Sequence, residues 1–552
     1  MRTGGRILVD NLLLQGADIA FCVPGESYLA VLDAMYDVRD RLRLIVCRQE
    51  GGAAYMAEAY GKLTGRPGIV FVTRGPGASN AAIGIHTAQQ DSTPLIMFIG
   101  QVGGDFKDRE AFQEVDYSRM YGGIAKWVTQ IDRADRVPEY VAQAYRVALS
   151  GRPGPVVLAL PEDMLRTEAD AIDSPRVVIA DVAPSSQQLA QLRELLARAS
   201  KPLVIAGGAG WTAAACANLR HFIEANALPV ASAFRNQDVF DNAHPNYAGE
   251  VGIAINPKLA ARVRAADVLL VLGERLGEMV TGGYTLLTAP EPAHALIHVH
   301  PDAIELGRLY HPTLAIQSSM PAIAAALADM PPLAAPVWRG SGAEAHADYL
   351  AWQTPRTMVG TLDLWQVVTA LRAQLPEDAI VTNGAGNYTV WLHRLYRYRP
   401  YRTQLAPYNG AMGYGVPAGV AAKLVHPDRV VVSWNGDGCF QMNGQELATA
   451  VQYGANVVFI VVDNAMYGTI RMHQEREHPG RVVGTDLVNP DFAALARAHG
   501  AFGATVSETS EFAPALARAL DAGRPALLHL RIDPQAITMN ATIDEIRQQA
   551  KR

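Results

Sequence analysis

Short apolar runs alternate with longer, alanine-rich amphipathic segments along almost the whole chain. In the first third the runs occupy residues 19–23, 44–47, 69–73, 95–99 and 156–160. Further runs occupy residues 203–206, 268–272 and 296–299, and then 379–382, 430–433, 457–462 and 527–530. Strand-length runs separated by helix-length segments are typical of parallel sheets covered by helices. We therefore predict an α/β protein with three doubly wound parallel-sheet domains.

Two polar or proline-rich stretches interrupt this pattern, at residues 166–188 and 330–357. Both lack periodicity, which is typical of linkers. A chain of 552 residues is also too long for a single hydrophobic core. We expect domains at residues 1–170, 188–332 and 357–552. We also expect a first helix within residues 1–16, and a short charged helix or tail after residue 537.

The charge balance argues against nucleic acid or an anionic membrane as a partner, because the formal net charge is -6 and no long basic run occurs. No apolar stretch approaches the length of about 18 residues that a membrane span needs. The cysteines, Cys22, Cys47, Cys216 and Cys439, are widely spaced and form no C-x-x-C pair. They predict buried thiols in a reducing compartment. We expect a cytoplasmic protein that acts on small molecules.

The most specific motif is Gly436-Asp437-Gly438, which follows the apolar run VVVSW. After a further 25 residues, 439–463, Asn464 follows the run VVFIVVD. Ligands of open α/β sheets bind at the carboxyl ends of strands, and carboxylate and amide oxygens suit Mg²⁺. A helix GQELATAVQYG opened by Gly438 and Cys439 would present free N–H groups to an anion. The motif predicts a magnesium and diphosphate site, with a tight turn and a helix cap as the structural alternative.

Two loops of the first domain also follow predicted strands. Glu50, within Arg48-Gln49-Glu50-Gly51-Gly52, lies between the run LRLIVC and a predicted alanine-rich helix. A purely structural role for Glu50 would be an interaction with the helix dipole. The loop Thr73-Arg74-Gly75-Pro76-Gly77-Ala78-Ser79-Asn80 is glycine-rich, which either permits close approach of the backbone to a ligand or forms a structural turn.

Together these motifs resemble the thiamine-diphosphate enzyme family, in which GDG is followed by about 25 to 30 residues and Asn. The resemblance implies a pyrimidine-binding N-terminal domain, a central domain and a diphosphate-binding C-terminal domain, with thiamine diphosphate and Mg²⁺ as cofactors. It implies that Asp437, Asn464 and the carbonyl of Met466 bind the metal. It also implies that Glu50, partly buried, activates the aminopyrimidine ring so that the thiazolium proton is removed. Further cofactor contacts are expected from Pro24, Gly25, Pro76, Asn80, Gly438, Cys439, Tyr467 and Gly468.

Within that family the chain most resembles the acetolactate synthase group, over nearly its whole length. The matching segments are Asp91-Ser92-Thr93-Pro94, Ala111-Phe112-Gln113-Glu114, Gly384-Ala385-Gly386-Asn387-Tyr388 and Gly410-Ala411-Met412-Gly413-Tyr414. The resemblance implies cofactor contacts from Ala385, Gly386, Asn387, Tyr388 and Gly410, and a Met412 side chain wedged between the cofactor rings. Met412 alone is also typical of core packing. Gln113 would orient the substrate as a catalytic residue, with Phe112, Arg74 and His473 as further substrate contacts.

Three departures from the synthase pattern bear on the substrate and on a second cofactor. Arg74 stands where the family has Ser, and His473 stands nine positions after Asn464, where synthases have Trp. A solvent-facing helix position is the alternative role for His473. In the central domain, GERLGEMVTG replaces the flavin group's G-A-R-F-D-D-R-V-T-G. Binding of FAD beside the glycine cluster at residues 207–210 is therefore left open.

The resemblance implies decarboxylation of a 2-oxo acid, pyruvate first among them, with carboligation to a second carbonyl compound. In that family the active site is shared between subunits, which implies at least a homodimer, and a homotetramer formed from two such dimers. Three alternatives stay open. One is a simple decarboxylase or carbon–carbon lyase of bulkier or aromatic substrates, another is a flavin-dependent enzyme like pyruvate oxidase, and the third is a non-catalytic nucleotide-binding protein. A regulatory subunit is neither implied nor excluded.

Overall fold

The computed structural model describes residues 1–551 and contains three six-stranded parallel sheets. This confirms the predicted α/β class. A short antiparallel pair, Arg2–Thr3 (β1) and Glu168–Ala169 (β8), joins the two ends of the first domain. Within the described residues no helix is both long and apolar enough to cross a lipid bilayer.

The N-terminal sheet has the strand order β3-β2-β4-β5-β7-β6. After β1 its elements are α1 Gly4–Leu14, β2 Ile19–Cys22, α2 Leu29–Tyr36, β3 Arg43–Val46, α3 Glu50–Thr64, β4 Gly68–Val72, α4 Pro76–Asp91, β5 Leu95–Gln101, α5 Tyr117–Tyr121, β6 Trp127–Gln130, α6 Val137–Leu149, β7 Pro155–Pro161 and α7 Glu162–Arg166. The predicted first helix is confirmed as α1. Both faces of the sheet are covered, because separate apolar clusters lie on either side of it.

The central sheet has the order β11-β10-β9-β12-β13-β14. Its elements are α8 Ser186–Arg198, β9 Pro202–Ala206, α9 Ala213–Asn226, β10 Val230–Ala233, β11 Tyr247–Val251, α10 Pro257–Ala265, β12 Val268–Leu272, β13 Ala295–His300, β14 Leu314–Gln317 and α11 Met320–Ala328. A helix α12, Ser341–Trp352, follows and packs on β11, where the rings of Tyr247 and Tyr349 lie 5.0 Å apart.

The C-terminal sheet has the order β16-β15-β17-β18-β20-β19. Its elements are α13 Leu364–Gln374, β15 Ile380–Asn383, α14 Tyr388–Leu395, β16 Gln404–Leu405, α15 Gly415–Val425, β17 Val431–Gly436, α16 Asp437–Asn443, α17 Glu446–Gln452, β18 Val458–Asp463, α18 Gly468–Glu477, α19 Phe492–Ala498, β19 Phe502–Val506, α20 Thr509–Leu520, β20 Ala526–Arg531 and α21 Ile543–Ala550. The helix α21 confirms the short helix expected after residue 537.

The apolar pattern identified every inner strand except β10, and it missed six strands in all, namely β6, β10, β11, β14, β16 and β19. Five of these lie at sheet edges. An edge strand is covered on fewer sides, so its sequence is shorter, more polar or alternating, as in LAIQ of β14. The stretch at residues 330–357 was also predicted as a plain linker, yet it includes α12, whose sparse apolar positions give little periodicity.

The N-terminal and C-terminal domains share one continuous apolar core, in which α3 packs against α15. Small side chains line this contact, because α3 contains EGGAAYMAEA and α15 begins GVPAGVAA. Close approach of two such helices fixes the relative position of the loops at their N-terminal ends. These loops contain the motifs around Glu50 and Met412.

Candidate functional site

A cavity of about 230 Å³ lies at the carboxyl edge of the C-terminal sheet, between the ends of β15, β17 and β18. Thirteen of the residues proposed from sequence as cofactor contacts line it. They are Ala385, Gly386, Asn387, Tyr388, Gly410, Met412, Asp437, Gly438, Cys439, Asn464, Met466, Tyr467 and Gly468. These residues come from four separate sequence segments, and the parallel sheet brings them together because its strand ends share one edge.

Asp437 is the first residue of α16 and follows β17 directly. Its Oδ1 accepts a hydrogen bond from the N–H of Gly438 at 2.9 Å, and its Oδ2 accepts one from Asn489 at 2.8 Å. Burial raises the pKa of the Asp437 carboxyl to about 6, although both hydrogen bonds favour its charged form. A carboxylate held in such a buried place is stabilised by a bound cation.

Asn489 is a site residue that the motif search missed. Its amide nitrogen donates to Asp437 and also to Asp463 Oδ1 at 2.7 Å, and it thereby bridges the ends of β17 and β18. His529 lies 2.8 Å from the other oxygen of Asp463. Burial alone would raise the pKa of Asp463, but the hydrogen bonds from His529, the N–H of Ala465 and Asn489 together lower it. Asn489 follows β18 by 26 residues in an irregular segment, and an isolated Asn-Pro there indicates only a turn.

The segment after Asn464 is held by the backbone. Ala465 has a left-handed φ of 55°, and its carbonyl accepts the N–H of Leu487 at 2.9 Å. The N–H of Tyr467 donates to the carbonyl of Thr485 at 2.8 Å. These bonds fix the main chain on both sides of Met466, so its carbonyl position does not depend on its side chain.

The glycines of this edge leave room for aromatic rings. A Cβ atom at Gly436 would lie 2.7 Å from the ring of Tyr388, and one at Gly438 would lie 2.6 Å from the ring of Tyr467. The helix predicted over GQELATAVQYG is present as α17, Glu446–Gln452, but the prediction that Gly438 and Cys439 open it is wrong. These two residues lie in a separate helix, α16, which begins at Asp437 and ends at Asn443, before Gly444.

The second predicted group of site residues is centred on Glu50, which is the first residue of α3. Gln49 caps this helix by accepting the N–H of Gly52 at 3.0 Å. Glu50 is half-buried, as expected, and its Oε2 accepts a hydrogen bond from Asn80 at 2.9 Å. A Cβ atom at Gly77 would lie 3.2 Å from Glu50 Oε1. The RQEGG and TRGPGASN motifs therefore form one cluster.

Gln113 belongs to this Glu50 cluster. Its backbone has a φ of 64°, and it packs so closely on Gly75 that a Cβ there would lie 2.9 Å away. Its Oε1 is buried without a hydrogen-bond partner within residues 1–551, which is unusual for a polar atom. Arg74 forms an ion pair with Glu162 and donates to the carbonyl of Phe112 at 3.2 Å. The charge of Arg74 is thus neutralised within the chain.

The remaining predicted residues lie on the surface. Phe112 is 74% exposed, beside the Glu50 cluster. Pro24, Pro76 and Asn80 are exposed, and Gly25 packs against Thr73. His473 faces solvent on α18, where its ring contacts Arg476 at 2.5 Å, and it does not line the 230 Å³ cavity.

The two clusters do not share a cavity within one chain. None of Glu50, Pro76, Asn80 or Gln113 lines the cavity around Asp437. Apolar side chains are exposed beside both, among them Ile83 and Phe112 near Glu50 and Met442, Ile470 and Val488 near the C-terminal cavity. Exposed apolar groups beside an incomplete site are typical of a surface that another subunit covers.

A buried polar cluster fixes the loop of Met412 against the N-terminal domain. Glu58 of α3 is fully buried and accepts hydrogen bonds from Tyr414 at 2.5 Å and from Thr93 at 2.7 Å. Lys62 lies 3.4 Å from Glu58, pairs with Asp91, and donates to the carbonyl of Ala406 at 2.8 Å. The Asp-Ser-Thr-Pro and Gly-Tyr-Gly segments singled out in the sequence thus meet in one place.

Comparison with known proteins gives consistent matches over the three domains. Three family models of thiamine pyrophosphate enzymes match the chain. The N-terminal TPP binding domain matches residues 2–120, the central domain matches residues 189–327, and the C-terminal TPP binding domain matches residues 384–530. The chain is 31% identical to the acetolactate synthase isozyme 2 large subunit of Escherichia coli, over 96% of this chain and 95% of that protein. It is 30% identical to the acetolactate synthase large subunit of Corynebacterium glutamicum, over 97% and 87% respectively.

Proposed function

The chain belongs to the thiamine pyrophosphate enzyme family, and from this premise we propose that it decarboxylates a 2-oxo acid and joins the remaining fragment to a second carbonyl compound, as an acetolactate synthase does. Pyruvate is the favoured donor. Bound thiamine diphosphate supplies the electron sink that makes loss of CO₂ feasible. The observation that supports the proposal most is the convergence of thirteen proposed contacts from four sequence segments on one cavity.

We propose that Asp437, Asn464 and the carbonyl of Met466 bind Mg²⁺. These groups fit the ion, because all three offer hard oxygen ligands at one strand edge. Because Asp437 is the single carboxylate among these ligands, most of the ion's positive charge is left to be neutralised by the diphosphate oxygens. The first-turn N–H groups of α16 other than that of Gly438, which donates to Asp437, would bind those oxygens together with residues 385–388.

Glu50 is proposed to exchange a proton with the aminopyrimidine ring of the cofactor. Its hydrogen bond from Asn80 orients the carboxyl group, and the half-buried position keeps bulk water from competing for it. Gln113 is proposed to donate and accept hydrogen bonds at the substrate, because its buried Oε1 has no partner within the described chain.

We propose that the active site forms between two copies of the chain, at least as a homodimer, with Glu50 from one and Asp437 from the other. The separation of the two clusters within one chain supports this arrangement. Mixing inactive Glu50→Gln and Asp437→Asn proteins should restore about a quarter of the activity, since half of the random dimers contain one intact site of two. Full activity of a monomer, or no restoration on mixing, would contradict it.

FAD is not proposed as a cofactor, because GERLGEMVTG replaces the flavin group's motif, although a cavity of about 220 Å³ lined by Gly208, Gly210 and Gly273 lies beside the glycine cluster. A Cβ at Gly208 would lie 1.9 Å from the carbonyl oxygen of Gly273, and one at Gly273 would lie 2.4 Å from that of Gly207. These glycines therefore serve contact between the ends of β9 and β12. Flavin absorbance of the purified protein, with activity that depends on it, would contradict this point and favour an oxidase.

The proposed function is tested by CO₂ release from a panel of 2-oxo acids, with thiamine diphosphate and Mg²⁺ supplied. Glu50→Gln should lower the rate by about 100-fold or more, the usual range for loss of a proton-transfer group. Glu139→Gln, at an exposed glutamate of the same domain, is the matched control and should have no effect. No turnover of any 2-oxo acid, or equal rates for the two variants, would overturn the proposal.

A further inference from the structure

The helix α17 of the C-terminal domain lies along the chain that leads from β3 to Glu50. Its apolar side chains Leu447 and Ala450 belong to the core shared with the N-terminal domain. In the described part of the chain β3 has a strand neighbour on one side only, so the N–H groups on its other side need different acceptors. Side chains of α17, and of Tyr453 directly after it, supply these acceptors.

The contacts along this segment follow the spacing of a strand. The N–H of Val46 donates to the hydroxyl of Tyr453 at 2.8 Å, and the N–H of Arg48 donates to Glu446 Oε1 at 3.0 Å. N–H groups two residues apart lie on the same edge of an extended chain. The same oxygen of Glu446 also accepts the N–H of Gln49 at 3.0 Å. Glu446 thus satisfies the two N–H groups that come directly before the first residue of α3.

Glu446 completes the N-terminal cap of α3 from another domain. In a capping box the N-cap side chain accepts the N–H of the third helical residue, whose own side chain accepts the N–H of the N-cap residue. Here the N-cap residue Gln49 accepts the N–H of Gly52 at 3.0 Å. Gly52 has no side chain to return the contact, and a Cβ atom there would lie 2.6 Å from Glu446 Oε1. Glu446 therefore occupies the place of the missing side chain.

The carboxyl group of Glu446 is itself held firmly. It is fully buried, and its Oε2 accepts the hydroxyl of Thr449, one turn further along α17, at 2.6 Å. Burial raises the pKa of Glu446, while the hydrogen bonds from Thr449 and from the N–H groups of Arg48 and Gln49 oppose the rise. Because both oxygens are engaged within the protein, the position of the acceptor is set by α17.

This cap leaves the carboxyl group of Glu50 without a structural task. A glutamate in the first turn of a helix would ordinarily interact with the free N–H groups and the helix dipole. The N–H groups of Gln49 and Gly52 are already satisfied, by Glu446 and by the Gln49 side chain. The hydrogen bond that Glu50 does accept comes from Asn80 at 2.9 Å. The carboxyl group is therefore available to the cofactor ring.

We infer that Glu446 is a positioning residue, which holds the first turn of α3 so that Glu50 faces the aminopyrimidine ring. The inference rests on the proposed role of Glu50. Glu446 acts through the main chain, so its loss should slow the proton exchange that Glu50 performs and leave cofactor affinity, which depends on the cavity around Asp437, nearly unchanged. A displacement of about 1 Å at a reacting group can lower a rate about 100-fold.

The first test needs no cofactor. Amide hydrogen exchange of the full chain, followed by mass spectrometry on a peptide covering residues 48–56, reports how firmly the turn is held. Glu446→Leu should speed exchange there about tenfold or more, as expected for the loss of a charged hydrogen bond. Tyr453→Phe is the matched control, because it removes an acceptor from the same contact at Val46, four residues before Glu50. It should leave exchange in this peptide unchanged, and equal protection in Glu446→Leu and the wild type would overturn the inference.

The second test measures how fast the thiazolium proton of bound thiamine diphosphate exchanges with D₂O, by ¹H NMR after an acid quench, and how tightly the cofactor binds, by calorimetry. Glu446→Leu should slow the exchange about tenfold or more at nearly unchanged affinity, and Tyr453→Phe should change neither. Glu446→Gln keeps an oxygen acceptor and should restore most of the rate. A wild-type rate in Glu446→Leu, a rate in Glu446→Gln as low as in Glu446→Leu, or an equal loss in Tyr453→Phe would overturn the inference.

If Glu446→Leu does not fold, Glu446→Asp takes its place, because it keeps the charge and withdraws the acceptor by one methylene group. It should also slow the exchange of the thiazolium proton, and a wild-type rate would overturn the inference.

Combination with Glu50→Gln separates positioning from a general structural role. If Glu446 acts through Glu50, Glu446→Leu should lower the exchange rate no further in a Glu50→Gln background. A further loss as large as in the wild-type background would overturn the inference. If the wild type exchanges the proton no faster than free thiamine diphosphate does, the proposed role of Glu50 and the inference both fail. Exchange that depends on Glu446 in a protein that turns over no 2-oxo acid would contradict the proposed reaction and support the inference.

Discussion

Replacing Asn489 by Leu tests how the metal site is held. The amide nitrogen of Asn489 lies 2.8 Å from Asp437 Oδ2 and 2.7 Å from Asp463 Oδ1, so it separates two carboxylates at neighbouring strand ends. Leu has a similar volume but donates no hydrogen bond. The variant therefore removes the bridge and leaves the packing largely intact.

The expected magnitude follows from the charged hydrogen bond to Asp437. Such a bond contributes about 1.5–3 kcal/mol, and each 1.4 kcal/mol corresponds to about a tenfold change in affinity. Without the bridge the Asp437 carboxylate loses its orientation, and repulsion from Asp463 favours its protonated form. We expect the affinity for Mg²⁺, in the presence of thiamine diphosphate, to fall about tenfold or more.

The assay is calorimetric titration of Mg²⁺ into protein saturated with thiamine diphosphate, at a pH well above the pKa of Asp437. Gln441→Leu is the control, because the Gln441 side chain donates to Asn489 Oδ1 at 2.8 Å but makes no hydrogen bond with the Asp437 side chain among the described residues. It should bind Mg²⁺ nearly as the wild type does. Unchanged or tighter Mg²⁺ binding by Asn489→Leu would refute the reasoning, since it would mean that the bridge does not orient the carboxylate.

Three further predictions concern the parts that surround the site. Arg547→Met removes a two-bond contact, at 2.8 and 2.6 Å, from the buried carboxylate of Glu475, and should lower unfolding stability by about 1–3 kcal/mol near neutral pH. Hydrogen bonds from Arg547 lower the pKa of Glu475 to about 2. The stabilisation is therefore complete at pH values above the ordinary pKa of glutamate and is lost as the pH falls toward 2. Thermal melts of the wild type and the variant should converge in acid. Tyr414→Phe leaves Glu58 without its 2.5 Å donor and should cost about 1.5–3 kcal/mol in urea unfolding, whereas an unchanged midpoint would contradict a fixing role. Arg74→Ser should speed proteolysis within residues 104–112 without changing cofactor affinity, since Arg74 holds the Phe112 carbonyl; equal cleavage rates would show that other contacts hold the loop.

Much of the fold could be predicted from the sequence, because inner parallel strands are buried on both faces and give continuous apolar runs. A run such as VVFIVVD of β18 locates both the strand and, at its carboxyl end, the sheet edge where ligands bind. The strands that were missed lie mostly at sheet edges, where burial is one-sided and the pattern is weak. The helix α12 was missed because only a few of its residues, among them Tyr349, are buried.

The motif residues could be predicted because short segments directly after strands bring their chemistry to one edge. Asn489 and Arg235 could not be predicted in this way. Asn489 contacts Asp437 from a segment 52 positions away, and nothing in its neighbours distinguishes it from a turn residue. Arg235 is notable only because it is buried and because its Nε has no hydrogen-bond partner within residues 1–551, which are properties of packing between two domains. The separation of Glu50 from Asp437 is likewise visible only in three dimensions.

The central claim is formation of a carbon–carbon bond after decarboxylation, and ¹³C NMR of the products tests it most directly. Pyruvate labelled at its carbonyl carbon is incubated with the protein, thiamine diphosphate and Mg²⁺, alone and with a second 2-oxo acid labelled at the same carbon. Carboligation places the two labelled carbons next to each other, so we predict a pair of product resonances that split one another. Unconsumed pyruvate, or only the unsplit resonances of acetaldehyde or acetate, would contradict the account.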